Sequence, residues 1–162
     1  MGVTNKFIFM NKLSLKLLLV GLGMMCILFI YATTAYDKNG NKEIFPKEIT
    51  TFVKNNLPNE KIVKYEYDDG KIKVKCSDWT KLTFNRNLEC IKMENDKLGL
   101  TQTLVSHLPN PAVLYLKNNY HGVAITEIEH KSYGYKVELR TSPNDCEILF
   151  NKDGSVKKEC DY

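Results

Sequence analysis

Apolar positions along this chain change their spacing in the same order twice. In residues 45–57, FPKEITTFVKNNL, the apolar Ile49, Phe52, Val53 and Leu57 recur at i, i+3, i+4 and i+8, the spacing of one helical face. Sixty-three positions later, residues 108–120, LPNPAVLYLKNNY, place Ala112, Tyr115, Leu116 and Tyr120 in the same way. Pro46 has the fixed φ that suits a first helical turn. Lys54-Asn55-Asn56 and Lys117-Asn118-Asn119 close the two segments, with a cation near the dipole's negative end and asparagine suited to a left-handed cap. Beyond each helix the period falls to two. The first copy reads KIVKYEY (61–67), KIKVKC (71–76), KLTF (81–84) and LECIKM (88–93), separated by DDG, SDWT and NRN. The second reads AITEIEHK (124–131), YKVELRT (135–141), CEILF (146–150) and SVKKEC (155–160), separated by SYG, SPND and NKDG. Short alternating runs joined by tight turns predict sequential antiparallel strands.

The predicted fold class is therefore α+β: two tandem repeats, each one α-helix packed on a four-stranded antiparallel meander. Ile72, Val74 and Cys76 alternate with Lys71, Lys73 and Lys75, and Tyr135, Val137 and Leu139 alternate with Lys136, Glu138 and Arg140. One sheet face is apolar and needs the helix as cover, and the other is charged. A unit of about fifty residues is marginal alone, so the copies are expected to pack side by side, as in one continuous eight-stranded sheet. The expected organisation is a signal peptide at 1–35, a linker at 36–44, repeat 1 at 45–95, a linker at 96–107 and repeat 2 at 108–162. Leu98, Leu100 and Leu104 suit a short helical turn over the junction.

Composition changes this picture only at the N-terminus. Lys6, Lys12 and Lys16 precede LLLVGLGMMCILFIY (17–31), and Thr33 and Ala35 supply small residues for cleavage after Ala35. The alternative is an uncleaved anchor, for which the apolar run falls short of a ~20-residue span. The residues before Cys26, Gly23-Met24-Met25, do not suit lipidation. The whole chain has 23 Lys and Arg against 19 Asp and Glu, and removal of the three signal lysines leaves 20 against 19. That balance offers no electrostatic footprint for nucleic acid. Four cysteines remain in the exported part, with three possible connectivities, and disulfides are favoured over metal or thiols. Cys146 and Cys160 flank a hairpin turn and are the expected pair, which leaves Cys76 with Cys90. No cysteine spacing suggests zinc.

Candidate catalytic residues do not assemble. His107, His121 and His130 fall in a linker, a helix-end loop and a strand, none in a metal-binding frame. Ser106-His107 adjacency is no substitute for a nucleophile and base meeting in space. Asp68-Asp69 before Gly70 reads as hairpin-turn chemistry, with cation binding as the alternative. No enzyme activity and no cofactor are expected. What remains is the charged sheet face, either simply solvated or a docking surface, and Trp79 in a turn, either a binding anchor or a cover for the core edge.

The repeat resembles the PepSY-like family of exported bacterial proteins, also described as β-lactamase-inhibitor-like and common in the Bacteroides group. Pro46, Phe52, Ile62, Gly70, Val74 and Phe84 carry the resemblance in the first copy. In the second, Leu108, Pro109, Tyr115, Ile125, Gly134, Val137, Phe150, Asn151, Asp153 and Gly154 carry it. The first copy departs at Asn85-Arg86-Asn87-Leu88, which lacks the Asp-Gly turn. The β-lactamase inhibitor protein has two such units and blocks its enzyme with an acidic residue on one hairpin and an aromatic on another. Asp68-Asp69 and Tyr133 stand in parallel positions here. The resemblance thus implies a non-enzymatic binding module, an inhibitor of a hydrolase or protease being one form of it. Export is expected, to the periplasm of a Gram-negative bacterium or into the medium, with membrane contact only through an uncleaved signal. The expected contacts with an unidentified protein partner are Asp68, Asp69, Lys73, Lys75, Trp79, Tyr133 and Arg140. The alternative is a small-ligand or metal-ion sensor using Asp68 and Asp69.

Overall fold

The computed structural model describes residues 33–36 and 42–159. The chain divides into two units, Met1–Lys47 and Glu48–Tyr162. In the first, β1 (Thr33–Tyr36) pairs antiparallel with β2 (Lys42–Phe45), Thr33 opposite Phe45 and Ala35 opposite Glu43. The stretch expected as a linker therefore carries a strand from Lys42 onward. Residues 1–32, with the basic and apolar parts of the expected signal, lie outside the described residues.

From α1 (Lys47–Asn56) the chain runs through β3 (Ile62–Asp68), β4 (Lys71–Cys76), β5 (Lys81–Phe84) and β6 (Cys90–Glu94). A short helix α2 (Gln102–Val105), on the segment where the leucines suit one, precedes α3 (Asn110–Asn119). Then come β7 (Ile125–Lys131), β8 (Gly134–Leu139), β9 (Cys146–Asn151) and β10 (Val156–Lys158). The eight strands β3 to β10 form a single antiparallel sheet in sequence order, a meander continuous across the junction at β6 and β7.

Equivalent residues of the two copies do equivalent physical work. Ile49, Val53 and Leu57 from the first helical segment and Ala112 and Leu116 from α3 share one core cluster with Val74, Leu82, Phe84, Val137, Ile148 and Phe150 of the sheet. Phe52 meets Phe84 edge-on at 5.5 Å, and Tyr115 meets Phe150 edge-on at 5.9 Å, so each helix sets an aromatic on the third strand after it. The paired asparagines do not end the helices by a left-handed turn; positive φ outside glycine is confined, among the described residues, to Asp69, Trp79 and Leu88. Instead Asn56 Nδ2 donates to the Phe52 carbonyl at 2.8 Å and Asn119 Nδ2 to that of Tyr115 at 2.9 Å. Each adds a side-chain donor to the carbonyl four residues before it, while the backbone ladder runs on to Leu57 N on Val53 O and Tyr120 N on Leu116 O. The strands open on equivalent irregularities too, register shifts between Ile62 and Lys64 and between Ile125 and Glu127.

The turn lacking Asp-Gly is built like its counterpart. Asn85 N donates to Glu89 O at 2.9 Å as Asn151 N donates to Ser155 O at 2.8 Å, and Leu88 at φ 63° stands where Gly154 stands at φ 84°. A left-handed leucine costs roughly 1–2 kcal/mol. Leu88 is half-buried against the core, and that burial offsets the strain.

The expected Cys76–Cys90 disulfide is absent: both are free thiols. The β5 strand lies between them, Cys76 at the end where Lys81 begins it and Cys90 opposite Phe84 at its other end. Strands two apart are about 10 Å from each other, and a disulfide cannot span that. Cys76, fully buried in the position Leu139 fills in the second copy, acts as a small apolar side chain. Burial pushes both thiols up to about 12. Cys146 is disulfide-bonded, and its expected partner Cys160 lies outside the described residues. Non-reducing peptide mapping should recover Cys76 and Cys90 as unlinked thiols that alkylate only after denaturation; a peptide joining the two would contradict this packing.

Candidate functional site

Strand alternation puts the charged residues that line this site on the side of the sheet opposite the core cluster. Lys64, Glu66 and Asp68 on β3 stand opposite Lys75, Lys73 and Lys71 on β4, and Lys73 and Lys75 stand opposite Thr83 and Lys81 on β5. Lys92 and Glu94 continue the face on β6, Glu127 and Glu129 on β7, Lys136 and Glu138 on β8. The face is hollow. A cavity of about 550 Å³ lies over β3 to β7, lined by Lys64, Lys71, Lys73, Lys75, Lys81 and Lys92 against Glu66, Glu94 and Glu129. That volume lies within the usual range of ligand pockets.

At the middle of the sheet the charges neutralise one another. Glu127 is only 6% exposed although it points away from the core. Lys92 covers one of its carboxylate oxygens at 2.8 Å and Lys136 the other at 2.8 Å. Lys92 also meets Glu94 at 3.1 Å, and Lys81 reaches Glu94 at 2.5 Å and Asp96 at 3.2 Å. Burial alone would raise the Glu94 carboxyl, but hydrogen bonds from Lys81 and Lys92 outweigh it and hold the group below its ordinary range. Burial would likewise depress Lys136; Glu127 and Glu138 outweigh it and raise the ammonium.

Toward β3 the balance shifts to positive charge. Lys73 pairs with Asp68 at 2.7 Å, and this bond and charge lower the Asp68 carboxyl. Lys64 pairs with Glu66. Lys71 and Lys75 form no ion pair among the described residues.

The residues expected to meet a partner divide between the two ends of the strands. Asp68 and Asp69 lie at the β3–β4 hairpin, where Asp69 at φ 45° and Gly70 at φ 71° give the turn its left-handed pair. Tyr133 lies at the β7–β8 turn, at the same end of the strands, half-buried under Lys157 at 4.2 Å. Trp79 is at the opposite end, in the β4–β5 turn. It is neither core cover nor bare anchor: 46% exposed, its ring has Lys97 Nζ at 3.4 Å and Lys75 Nζ at 4.6 Å. Buried Asn95 fixes this turn, donating to Asp78 O at 3.2 Å and Thr80 Oγ1 at 3.0 Å. Arg140 lies just past β8 rather than on the charged face, and its guanidinium donates to the Asp96 and Lys97 carbonyls. Lys73 and Lys75 line the hollow itself. Sequence reasoning puts Glu127 on the exposed charged face and does not single out Lys92; the burial of Glu127 depends on which strands become neighbours. His107 and His130 line one small cavity of about 130 Å³, but each is engaged elsewhere: His107 bonds Asn56 at 2.7 Å, and His130 stacks on Tyr135 with centroids 5.0 Å apart.

A family model described as "Putative beta-lactamase-inhibitor-like, PepSY-like" matches residues 35–92 and 97–158. The chain belongs to this PepSY-like family. It is similar to a crystal structure described as a putative periplasmic protein of unknown function from Bacteroides vulgatus, with 24% identity over 80% of this chain and 98% of that one, at a TM-score of 0.61. It is also similar to a putative calcium-regulated periplasmic protein of Bacteroides thetaiotaomicron, with 19% identity over 72% and 91% of the two chains and a TM-score of 0.61. A second Bacteroides vulgatus protein, of the DUF2874 family, is 23% identical over 72% and 91%, at a TM-score of 0.59. These likenesses concern the fold. A search of curated proteins returns no match.

Two consequences of the ion-pair network are measurable. Replacing Glu127 by Ala leaves two ammonium groups facing each other across a nearly buried site, and should cost about 2 kcal/mol in urea unfolding. Glu66→Ala, in an exposed pair, should stay within about 0.5 kcal/mol of wild type. Because the Glu94 carboxyl is lowered from its ordinary value of 4.5, its contribution is present above that pH and disappears as pH falls through the folded-state value. Glu94→Gln should therefore lose less stability than wild type on acidification below pH 4.5; parallel pH profiles would contradict this.

Proposed function

We propose that this protein is an exported, non-enzymatic binding module whose polar sheet face docks a protein partner. We read each family-matched segment as one helix-and-meander unit whose apolar side is closed, leaving the polar side to make contacts. The observation that carries this reading is the hollow over β3 to β7, where lysines outnumber carboxylates, while on the rest of the face Glu127, Glu138 and Glu147 each have a lysine of the protein beside them. Export is supported by the periplasmic descriptions of the similar structures. Among the described residues, no helix is long and apolar enough to cross a membrane.

In this reading Lys73 and Lys75 contact the partner directly, with Asp68 and Asp69 shaping one rim and Trp79 the other. Tyr133 is a further contact at the end occupied by Asp69, and Arg140 acts by holding the junction in place. A Cys146–Cys160 disulfide would tie the C-terminus to β9. Inhibition of a hydrolase or protease is one outcome such docking would have. The similarity to a protein described as calcium-regulated raises the metal-sensing alternative. Here Asp68 is held by Lys73, and no three His, Cys, Asp or Glu side chains among the described residues group as a metal site.

Thr83 lines the middle of the hollow, so Thr83→Trp fills it without changing charge. Immobilised wild-type protein should retain a partner from the envelope fraction of its host. Thr83→Trp should reduce that retention at least about tenfold, equivalent to ~1.4 kcal/mol, while Lys54→Trp on the exposed side of α1 leaves it unchanged. Retention that survives the first substitution and fails with the second would place docking on the helical side instead.

A further inference from the structure

The two copies carry opposite charges along one equivalent row. In the first, Lys64 on β3 lies opposite Lys75 on β4, which lies opposite Lys81 on β5. In the second, Glu127 lies opposite Glu138, which lies opposite Glu147. Side chains directly opposed on adjacent strands have Cβ atoms about 4.5–5.5 Å apart, and like charges there repel. Each row therefore calls for a counter-charge.

The glutamate row has one within the protein. Lys136 Nζ lies 2.8 Å from Glu127, 2.6 Å from Glu138 and 3.8 Å from Glu147. The lysine row has no such group. The residue equivalent to Lys136 is Lys73, another cation, turned toward Asp68. Lys64 and Lys81 find carboxylates to either side, at Glu66 and at Glu94 and Asp96. The central Lys75 has the ring of Trp79 at 4.6 Å and no ion pair among the described residues.

We propose that the Lys64–Lys75–Lys81 row receives a carboxylate side chain of the protein partner, mirroring the position of Lys136 over the glutamate row. This rests on the polar face being the docking surface and specifies the chemistry that docks there. The row spans roughly 10 Å across three strands. Its lysines are separate point charges, with no arginine fork of the kind that grips phosphate bidentately. Strand N–H groups lie in the plane of the sheet and do not face the hollow. A single acidic side chain reaching down from a loop fits this arrangement as Lys136 fits the other row.

Trp79 is the only tryptophan in the chain, so its fluorescence reports on the row directly. The protein should be titrated with a hexaglutamate peptide, a hexaglutamine peptide and inorganic phosphate, with calorimetry alongside for the variants. Hexaglutamate should give a saturable change, weakened on the order of tenfold between low and physiological salt as expected for exposed charges. Hexaglutamine should give none, and phosphate should bind at least about tenfold more weakly than hexaglutamate, a single charge-assisted contact's worth. Lys75→Glu should abolish the peptide binding and should not lower the melting temperature, because it removes a repulsion. Binding undiminished by Lys75→Glu, equal binding of hexaglutamine or phosphate, or a destabilised Lys75→Glu would overturn the assignment. So would a dimer dispersed by that substitution, which would assign the carboxylate to a second copy. If Thr83→Trp blocks partner retention while Lys75→Glu binds normally, the docking face stands and only this carboxylate assignment falls.

Discussion

The pairing of β6 with β7 is the contact on which the rest of the sheet depends. It joins Lys92 to Glu129, Met93 to Ile128 and Glu94 to Glu127, and through it two units too small for a secure core of their own become one sheet over one core. The register has a cost. Glu94 and Glu127 face each other directly, a repulsive arrangement on adjacent strands. Lys92 lies between them, within 3.1 Å of one and 2.8 Å of the other, while Lys81 and Lys136 brace the outer sides. The ion pairs at the centre of the polar face are thus a condition of joining the copies. Asn95 closes the end of the seam, donating its backbone N–H to Thr126 O at 2.8 Å.

That condition explains why charge is distributed unevenly across the face. Carboxylates near the seam and on β8 are consumed by lysines that the register requires there. On β3 and β4, one edge of the sheet, no second unit imposes a balance, and surplus ammonium remains. The two copies agree where packing constrains them: Phe52 on Phe84 matches Tyr115 on Phe150, and Asn56 and Asn119 donate to equivalent carbonyls, Phe52 O and Tyr115 O. They differ in sign where only outward side chains are concerned, because the strand ladder forms regardless of what stands on its solvent side. The equivalence even survives an insertion. Cys76 corresponds to Leu139 at an offset of 63, yet Phe84 corresponds to Phe150 at 66, the longer β8–β9 turn absorbing three residues.

Helices, strands and turns were legible because each rests on local periodicity. The alternation of Lys71 to Cys76 assigns faces without knowledge of any neighbour. Features set by distant neighbours were not legible. Cys76 and Cys90 look bridgeable in sequence, and only the placement of β5 between them shows otherwise. Glu127 reads as one more solvent-facing glutamate in an alternating strand, and becomes a buried group only when Lys92, 35 positions earlier in the chain, arrives beside it. The surroundings of Trp79 and Arg140 were not legible for a related reason, since each is held by the junction segment Asn95–Lys97, which has no periodicity to read. The short strand at Lys42–Phe45 has too few residues to show a period at all.

If the polar face docks a partner, the same geometry limits how it approaches the sheet. The apolar side is closed by α1 and α3, whose buried residues belong to the core cluster. The β3 edge offers open backbone, and exposed Val63 and Tyr67 would favour strand addition there. Against that, the register shift between Ile62 and Lys64 interrupts the ladder, and Lys64, Glu66 and Asp68 place charge along the strand, both common guards against edge pairing. At the other edge β10 is three residues long, too short to template a partner strand. Docking through side chains onto the polar face requires neither a free ladder nor displacement of a helix. It uses groups that the fold leaves unneutralised, and it is favoured over edge addition for that reason.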